Sequence, residues 1–486
     1  MVKRIWPVLL APILASCAVV GPDYHVPGSA VANTPGAQGA FRSATQVTRA
    51  EPLPDHWWKL YDDPVLDGLI TSALEANTDL RTAEANLLRT LALLDARGAS
   101  QEIQGNFNAE TSYAQRSAEA ELQHIQPPAR QIYNAGIAFG YDLDLFGGLK
   151  RGVEAASADT EAAVAARDLV RINVAAETAR AYVDACNGGF QLQLLNRSIA
   201  LQQRGLRLTE IMIRHGRAAP YELDRRQSAL ESNKARMPRL AARQRNAVLR
   251  IAALQGRTPD QADMGLLACH RPLELTQILP VGTGQALLRR RPDIRMAERR
   301  LAASTARIGV ATAALYPDIR LGASAGSTGA AADFLSPLTN RFGLGPLISW
   351  TLNRHAARAG IAAAQAQSKA DLATFDGTVI KALREVEMAL NNYAAGLDQK
   401  QSLARARDDA ERAAQRTAQL RRGGKIAELP ALEAERDLIA SEQALADSRA
   451  AMNEDQITLF RALGGGWTAS SGPGTSSGFD ADQEGK

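Results

Sequence analysis

Residues 133–145 read Tyr-Asn-Ala-Gly-Ile-Ala-Phe-Gly-Tyr-Asp-Leu-Asp-Leu, and this stretch decides the fold class. Every second side chain, from Tyr133 to Leu145, is apolar, whereas the side chains between them are small, polar or acidic. An alternation with a period of two is typical of a β-strand with two unlike faces. We therefore predict a strand at about 133–146, with Asp142 and Asp144 on its polar face.

Three further segments alternate in the same way, at about 103–116, 317–328 and 342–352. The alternation at 317–328 places Asp318 and Arg320 on the polar face of that strand. Four strands per chain, arranged as two hairpins, are therefore predicted.

Two very long helical patterns follow the hairpins. No proline interrupts residues 150–214 or residues 354–422, and a helix of either length would extend for about 100 Å. The apolar side chains form a narrow stripe at three-and-four spacing, which is typical of a coiled-coil seam. Gly188-Gly189 suggests a bend in the first long helix. Shorter helices are predicted at about 74–100, 222–255, 292–314 and 432–463.

An internal repeat relates the two halves of the chain. The segment Asp79-Leu80-Arg81-Thr82-Ala83-Glu84 recurs as Asp293-Ile294-Arg295-Met296-Ala297-Glu298, and Gly216 recurs as Gly424. The two spacings, 214 and 208 residues, are close, as expected of an old duplication with small insertions. We assign residues 63–255 to the first repeat, 256–283 to a connection at the equator of the helical part, and 284–463 to the second repeat.

The first residues resemble a lipoprotein signal. Lys3 and Arg4 precede an apolar run at 8–15 that is too short to span a bilayer, which needs about 20 apolar residues. Leu14-Ala15-Ser16-Cys17 resembles the bacterial lipobox, so we expect a signal peptide at 1–16 and a lipid on Cys17. Ala18 is not the aspartate that retains lipoproteins in the inner membrane, and outer-membrane sorting is implied. Composition predicts an extended tether at 17–62 and a disordered tail at 464–486.

Composition excludes several classes of function. The net charge of +4 over 486 residues gives no basic patch for nucleic acid. Cysteine and histidine spacing indicates no metal site, and no cofactor motif is found. The sequence also lacks a nucleophile with a matching base, which excludes a secreted hydrolase. Two alternatives remain for Cys186 and Cys269: a disulfide between them, or two buried free thiols. Cys186 lies in a helical pattern and Cys269 in a loop-like region, and this difference favours the free thiols.

Four strands alone cannot enclose a wet interior while facing lipid, and an open sheet edge is not tolerated in hydrocarbon. Three copies supply twelve strands, an even number large enough to leave a pore. We therefore predict a mixed α and β membrane protein: a homotrimeric 12-stranded β-barrel continued by an α-helical periplasmic barrel. Its apolar face contacts outer-membrane lipid. The lumen is expected to hold Asp142, Asp144, Asp318 and Arg320.

Over nearly its full length the chain resembles the TolC-type outer membrane factors, in particular their lipoprotein branch. The motifs that carry the resemblance are Val20-Gly21-Pro22-Asp23-Tyr24, Trp57-Trp58, Asp63-Pro64, Leu80-Arg81, Tyr141-Asp142-Leu143-Asp144-Leu145-Phe146-Gly147, Leu288-Arg289-Arg290-Arg291-Pro292-Asp293-Ile294, Tyr316-Pro317 and Leu463-Gly464-Gly465-Gly466-Trp467. Membership implies a passive exit channel of a Gram-negative tripartite efflux system. Its partners would be a periplasmic adaptor and an inner-membrane transporter, usually proton-driven. The family's usual fourth-strand ending is absent at Trp350-Thr351-Leu352.

The resemblance also implies a gate. Turns at 215–221 and 423–429, with Gly216 and Gly424, would form the periplasmic tip of the tunnel. Alignment on these glycines matches Glu222 to a link carboxylate facing Arg421, and Glu433 to a ring carboxylate, while Pro430 replaces the other ring position. The alternative is that these charges only solvate a loop, since helix starts favour acids in any case.

Two other functions remain open from the sequence. The chain could instead serve as the outer membrane component of a type I protein secretion system. A periplasmic coiled-coil scaffold would explain the long helices, but it would not explain four alternating strands. The exported substrate is not encoded in a recognisable motif, because a wide wet duct makes few specific contacts.

Overall fold

The computed structural model describes residues 19–44, 48–51, 53–115, 117–119, 124–275 and 278–465. The chain divides into two compact units. The first is formed from the described residues of Met1–Gly28, Asn86–Val164 and Met296–Phe375, and the second from those of Ser29–Ala85, Ala165–Arg295 and Asp376–Lys486.

The first unit contains a four-stranded antiparallel sheet. Its strands are β1 (Gln104–Ala114), β2 (Arg130–Asp142), β3 (Asp318–Ala330) and β4 (Asn340–Ser349), and they lie side by side in that order. In register, Glu110 lies opposite Asn134, Asn134 opposite Thr328, and Gly326 opposite Arg341. The two hairpins predicted from the alternation are therefore joined through β2 and β3 into one sheet.

Eight helices carry most of the described chain. They are α1 (Pro64–Ala76), α2 (Thr78–Ala99), α3 (Gly148–Arg214), α4 (Pro220–Leu254), α5 (Gly284–Arg290), α6 (Pro292–Ala313), α7 (Arg354–Arg422) and α8 (Glu428–Ala462). Short helical turns occupy Val31–Asn33, Pro35–Gln38, Trp57–Tyr61, Pro259–Gln261 and Met264–Ala268, and Thr48–Arg49 pairs in parallel with Leu279–Pro280.

The element bounds repeat at the two spacings seen in the sequence. Helices α2 and α6 both have 22 residues, and α4 and α8 both have 35. Helix α6 starts 214 residues after α2, and α8 starts 208 residues after α4. The paired helices therefore share length as well as sequence position, as expected of a duplicated unit.

The second unit has an aromatic core near the end of α8. Trp57 stacks on Phe460 with ring centroids 4.6 Å apart, and Tyr61 donates a hydrogen bond to Gln456 at 3.0 Å. Burial raises the pKa of Tyr61 far above its usual value, so the phenol stays neutral and can donate. Nearby, Arg291 donates to the Ala462 carbonyl at 2.9 Å and pairs with Asp293 and Glu385. Buried aromatic rings and an ion-paired arginine thus pack around this end of α8.

Several predicted bounds were wrong. Helix 74–100 is two helices, because the Asn77 side chain accepts hydrogen bonds from the Asp79 and Leu80 amides and caps a new start. Strand 133–146 begins at Arg130 and ends at Asp142. Beyond it, the Asp144 side chain caps α3 by accepting hydrogen bonds from the Leu149 and Lys150 amides.

The other strand bounds shifted by smaller amounts. Strand 103–116 runs from 104 to 114, strand 317–328 from 318 to 330, and strand 342–352 from 340 to 349. Hydrogen bonding to a neighbouring strand decides such ends, which the side-chain pattern does not show.

The predicted tether and tail are partly ordered. Residues 57–61 form a helical turn that buries both tryptophans, and Glu387 accepts hydrogen bonds from the Arg42 and Ser43 amides at 2.8 and 2.9 Å. Gly465, at φ +61°, packs against Ile172. Residues 1–18 and 466–486, which hold the expected signal peptide, Cys17 and most of the expected tail, lie outside the described residues.

Cys186 and Cys269 form a disulfide, so the preference for two free thiols was wrong. Their Cα atoms are 4.7 Å apart, and 83 residues separate them in sequence. The loop carrying Cys269 approaches α3 at Gly189, where a Cβ atom would lie 2.0 Å from the Cys269 carbonyl oxygen. Helix α3 continues through both glycines. Gly188-Gly189 therefore allows the loop carrying Cys269 to come close to the backbone of α3.

Candidate channel-lining face and gate

The sheet separates charge by face. All six charged residues within the four strands lie on one face, as the strand register and the alternation of side chains require. They are Glu110, Arg130, Asp142, Asp318, Arg320 and Arg341. A sheet with one charged face and one uncharged face can border water on one side and hydrocarbon on the other.

The opposite face carries no charge, and most of its side chains are apolar and exposed. Its side chains include Phe107, Phe139 and Leu321, and on β4 Phe342 is 92% exposed and Leu344 86% exposed. Exposed apolar surface of this extent marks a partner or membrane contact on a protein. On a β-sheet with no charge on that face, lipid is the fitting environment.

The predicted lumen residues divide into two groups. Arg320 pairs with Asp142 at 3.0 Å between Nη2 and Oδ2, and Asp318 lies on the same face. Asp144 instead lies past the end of β2 and caps α3, so it has a structural role in the chain. Three of the four predicted residues thus share the charged face of the sheet.

Sequence reasoning missed three residues of this face: Glu110, Arg130 and Arg341. The signal for Glu110 was present, since it lies at an even position of the predicted strand 103–116. Arg130 and Arg341 lie outside the predicted strands 133–146 and 342–352. In the structure the corresponding strands begin earlier, at Arg130 and Asn340. Longer strands therefore add two cations to the charged face.

Two equivalent turns connect the long helices to the next helix. Gly216 at φ +68° and Gly424 at φ +69° occupy the left-handed region that favours glycine. In each turn an amide donates back over five residues, from Arg217 to the Met212 carbonyl at 2.8 Å and from Lys425 to the Leu420 carbonyl at 2.9 Å. The glycine turns therefore have the geometry predicted for them.

The charged residues at the turns have specific partners. Arg421, at the end of α7, contacts both carboxylate oxygens of Glu428 at 2.7 and 2.9 Å, at the start of α8. Glu222 lies in the first turn of α4, and Glu433 is exposed on α8. The structure therefore brings Arg421 to Glu428 within one chain, whereas the alignment had matched it to Glu222.

The segment after the expected lipid site is tied to the first unit. Arg151, with its side chain 5% exposed, donates to the Val20 and Gly21 carbonyls at 3.2 Å and pairs with Asp23 at 2.7 Å. A hydrogen bond from Arg151 lowers the pKa of Asp23, which keeps that carboxylate charged. Gly21 lies against Gly309, where a Cβ atom on Gly21 would approach within 2.4 Å. The chain is therefore fixed within six residues of Cys17.

None of the helices in the described ranges combines the length and the apolar character that a bilayer-spanning helix needs. Within those same ranges, no group of three or more histidine, cysteine, aspartate or glutamate side chains is placed to hold a metal ion.

Comparison with known proteins agrees with this geometry. The model of the family described as "Outer membrane efflux protein" matches residues 69–257 and 283–465. The solved outer-membrane channel OprN has 31% sequence identity and a TM-score of 0.83, with 93% of this chain and 100% of that chain covered.

Two curated relatives match across nearly their whole length. The toluene efflux pump outer membrane protein TtgC of Pseudomonas putida is 28% identical, with 95% of each chain covered. The probable outer membrane lipoprotein SilC of Salmonella typhimurium is 26% identical, with 94% of this chain and 97% of SilC covered.

These likenesses confirm the fold class predicted from the sequence, in which each chain gives four strands to a trimeric 12-stranded barrel continued by long helices. They also confirm the outer-membrane location. The chain belongs to the outer membrane efflux protein family and is the outer membrane exit channel of an efflux system.

Proposed function

We propose that three copies of this chain form a passive duct that carries small molecules out of the cell, supplied by a periplasmic adaptor and a proton-driven inner-membrane transporter. The duct performs no catalytic step. The observation that carries the proposal is the sheet with one uncharged apolar face and two open edges. Within the described part of the chain, β1 and β4 each pair on one side only.

Open edges dictate assembly. Unpaired amides and carbonyls in hydrocarbon cost several kcal/mol each, so spanning sheets close on themselves. Closure pairs β4 of one copy with β1 of the next. This arrangement turns the uncharged face to lipid and the face with Asp142, Asp318 and Arg320 to the lumen.

Cys17 is the proposed lipid attachment. The contacts of Arg151 with Val20, Gly21 and Asp23 hold the following residues against the strand-bearing unit. An acyl chain on Cys17 would thus be kept beside the barrel, because few residues separate the lipid from this fixed point.

Deleting the chain in its host tests the function. We expect increased susceptibility to at least one class among drugs, dyes, aromatic acids and metal ions, because molecules handed to the adaptor would have no exit. Minimum inhibitory concentrations report the effect, and a plasmid copy of the chain should restore resistance where the empty plasmid does not. Unchanged susceptibility to every class, together with a purified chain that forms no trimer in detergent, would refute the proposal.

The gate is proposed at the tip turns marked by Gly216 and Gly424. The Arg421–Glu428 ion pair ties α7 to α8 across the second turn, and both side chains are 39% exposed. An exposed pair of this kind contributes at most about 1 kcal/mol, so contact with an adaptor can break it. A ring of three Glu433 carboxylates, one per copy, would favour cations at the entrance. Glu222 extends the acidic surface of the first turn.

The variants Arg421→Ala and Glu428→Ala are expected to raise the open fraction of single channels, by up to about fivefold for loss of a 1 kcal/mol contact. Planar-bilayer recordings measure it. Glu231→Ala is the matched control, because it removes an exposed ion pair with Lys234, at 2.8 Å, away from the turns. An open fraction equal to that of the unaltered chain in both variants would leave the charges as loop solvation only.

A further inference from the structure

The charged face of the sheet differs at its two ends. At one end the strands join helices α2, α3, α6 and α7, and at the other end they are connected by residues 115–129 and 331–339. Asp142, Asp318 and Arg320 lie at the helix end, whereas Glu110, Arg130 and Arg341 lie nearer the connections. Each end therefore has its own charge balance.

The charge balance has opposite sign at the two ends. At the helix end, Arg320 is neutralised by its ion pair with Asp142, which leaves the carboxylate of Asp318. At the connection end, two cations, Arg130 and Arg341, accompany one carboxylate, Glu110. Counting only the charged side chains on the strands, each copy thus places one net negative charge at the helix end of this face and one net positive charge at its far end.

Arg341 is held in a defined position across three strands. Its Nη2 donates to Asn134 Oδ1 at 2.9 Å, and its Nε donates to Thr328 Oγ1 at 3.2 Å. Thr328 in turn donates to the same oxygen of Asn134 at 2.9 Å. Among the described residues no carboxylate forms an ion pair with Arg341, so no direct contact there offsets the positive charge of its guanidinium.

The sheet provides room for this arginine to lie flat. A Cβ atom at Gly136 would come within 3.3 Å of Arg341 Nη2, and the facing Gly326 also carries no side chain. The guanidinium borders a polar hollow of about 420 Å³ lined by Glu110, Ser112, Ala114, Ile132, Asn134, Thr328 and Arg341. The arrangement leaves space for a solute beside a positioned cation.

We propose that Arg341, supported by Arg130, forms a positively charged ring at the outer end of the lumen that attracts small anionic solutes, such as those bearing a carboxylate. The inference rests on the proposed trimeric duct. In a channel whose helices lie in the periplasm, the end of the sheet away from the helices opens to the outside. Three copies place three Arg341 side chains around that opening, opposite in sign to the acidic end at Asp318.

Reversal potentials in planar bilayers under a KCl gradient test the ring. Arg341→Gln is expected to shift the permeability ratio towards potassium by about twofold or more, because a ring of side-chain charge sets ion preference in a wide pore. The shift should be larger at 0.1 M salt, where the Debye length is about 10 Å, than at 1 M, where it is about 3 Å. Arg341→Lys keeps the charge and should keep the ratio near that of the unaltered chain.

Two further variants locate the effect. Asp318→Asn removes the opposite charge at the other end and should shift the ratio towards chloride. Arg341→Cys allows charge to be restored in the folded pore: a cationic methanethiosulfonate should reverse the shift and an anionic one increase it. Either reagent should react faster from the outer side of the membrane.

The outcomes separate the ring from the duct. Pores with an unchanged permeability ratio in Arg341→Gln, and no response of the Arg341→Cys pore to either reagent, would overturn the ring while leaving the duct intact. A chain without substitutions that forms no ion-conducting trimer would instead overturn the duct.

Discussion

Leu344→Arg is expected to reduce the amount of chain inserted in the membrane by more than about tenfold, since an arginine on a lipid-facing strand costs about 2–4 kcal/mol at the bilayer midplane. Leu344 lies in the middle of β4, on the uncharged face, beside Phe342. Each trimer would carry the substitution three times. Carbonate extraction of membranes, followed by gel electrophoresis of unheated samples, measures the inserted trimer.

Gly345→Arg is the matched control for this substitution. Gly345 is the next residue of β4 and faces the charged side, and nothing lies within 4 Å of a Cβ atom placed there. The same arginine, moved by one residue, should therefore insert almost as well as the unaltered chain, because it points to the wet lumen. Equal insertion of the two variants would contradict the assignment of the uncharged face to lipid.

Cys186→Ser is expected to lower the free energy of unfolding by up to about 4 kcal/mol, because the disulfide closes a long loop in the unfolded chain. The two cysteines are 83 residues apart in sequence, and their disulfide holds the segment after α4 against α3. Thermal unfolding of purified protein in detergent, followed by circular dichroism, measures the loss.

Cys269→Ser and the double variant control for the loss of a buried thiol. All three should unfold at nearly the same temperature, because either single change removes the same bond. Reductant should lower the unfolding temperature of the unaltered chain to the same value and leave the unfolding temperatures of the variants unchanged. If reductant lowered the unfolding temperature of Cys186→Ser as much as that of the unaltered chain, the disulfide would not be the source of stability.

At the candidate gate the sequence predicted the turns but not the partner of Arg421. Alignment of the repeats located the two glycine turns, because a left-handed turn depends on a local residue type. It matched Arg421 to Glu222, whereas the structure pairs it with Glu428 across its own turn. A long flexible side chain chooses its partner by distance and orientation, which residue order does not encode.

The sequence by itself determined the strands, the long helices and the duplicated plan, because periods of two and of three to four residues are local properties of the chain. Only the tertiary structure decided that Cys186 meets Cys269, and that Arg341 is held by Asn134 and Thr328. These groups are 83 residues apart in the first case and up to 207 in the second. Their meeting depends on the register of neighbouring strands and on close backbone approach at Gly189 and Gly136, and neither leaves a periodic signal in the sequence.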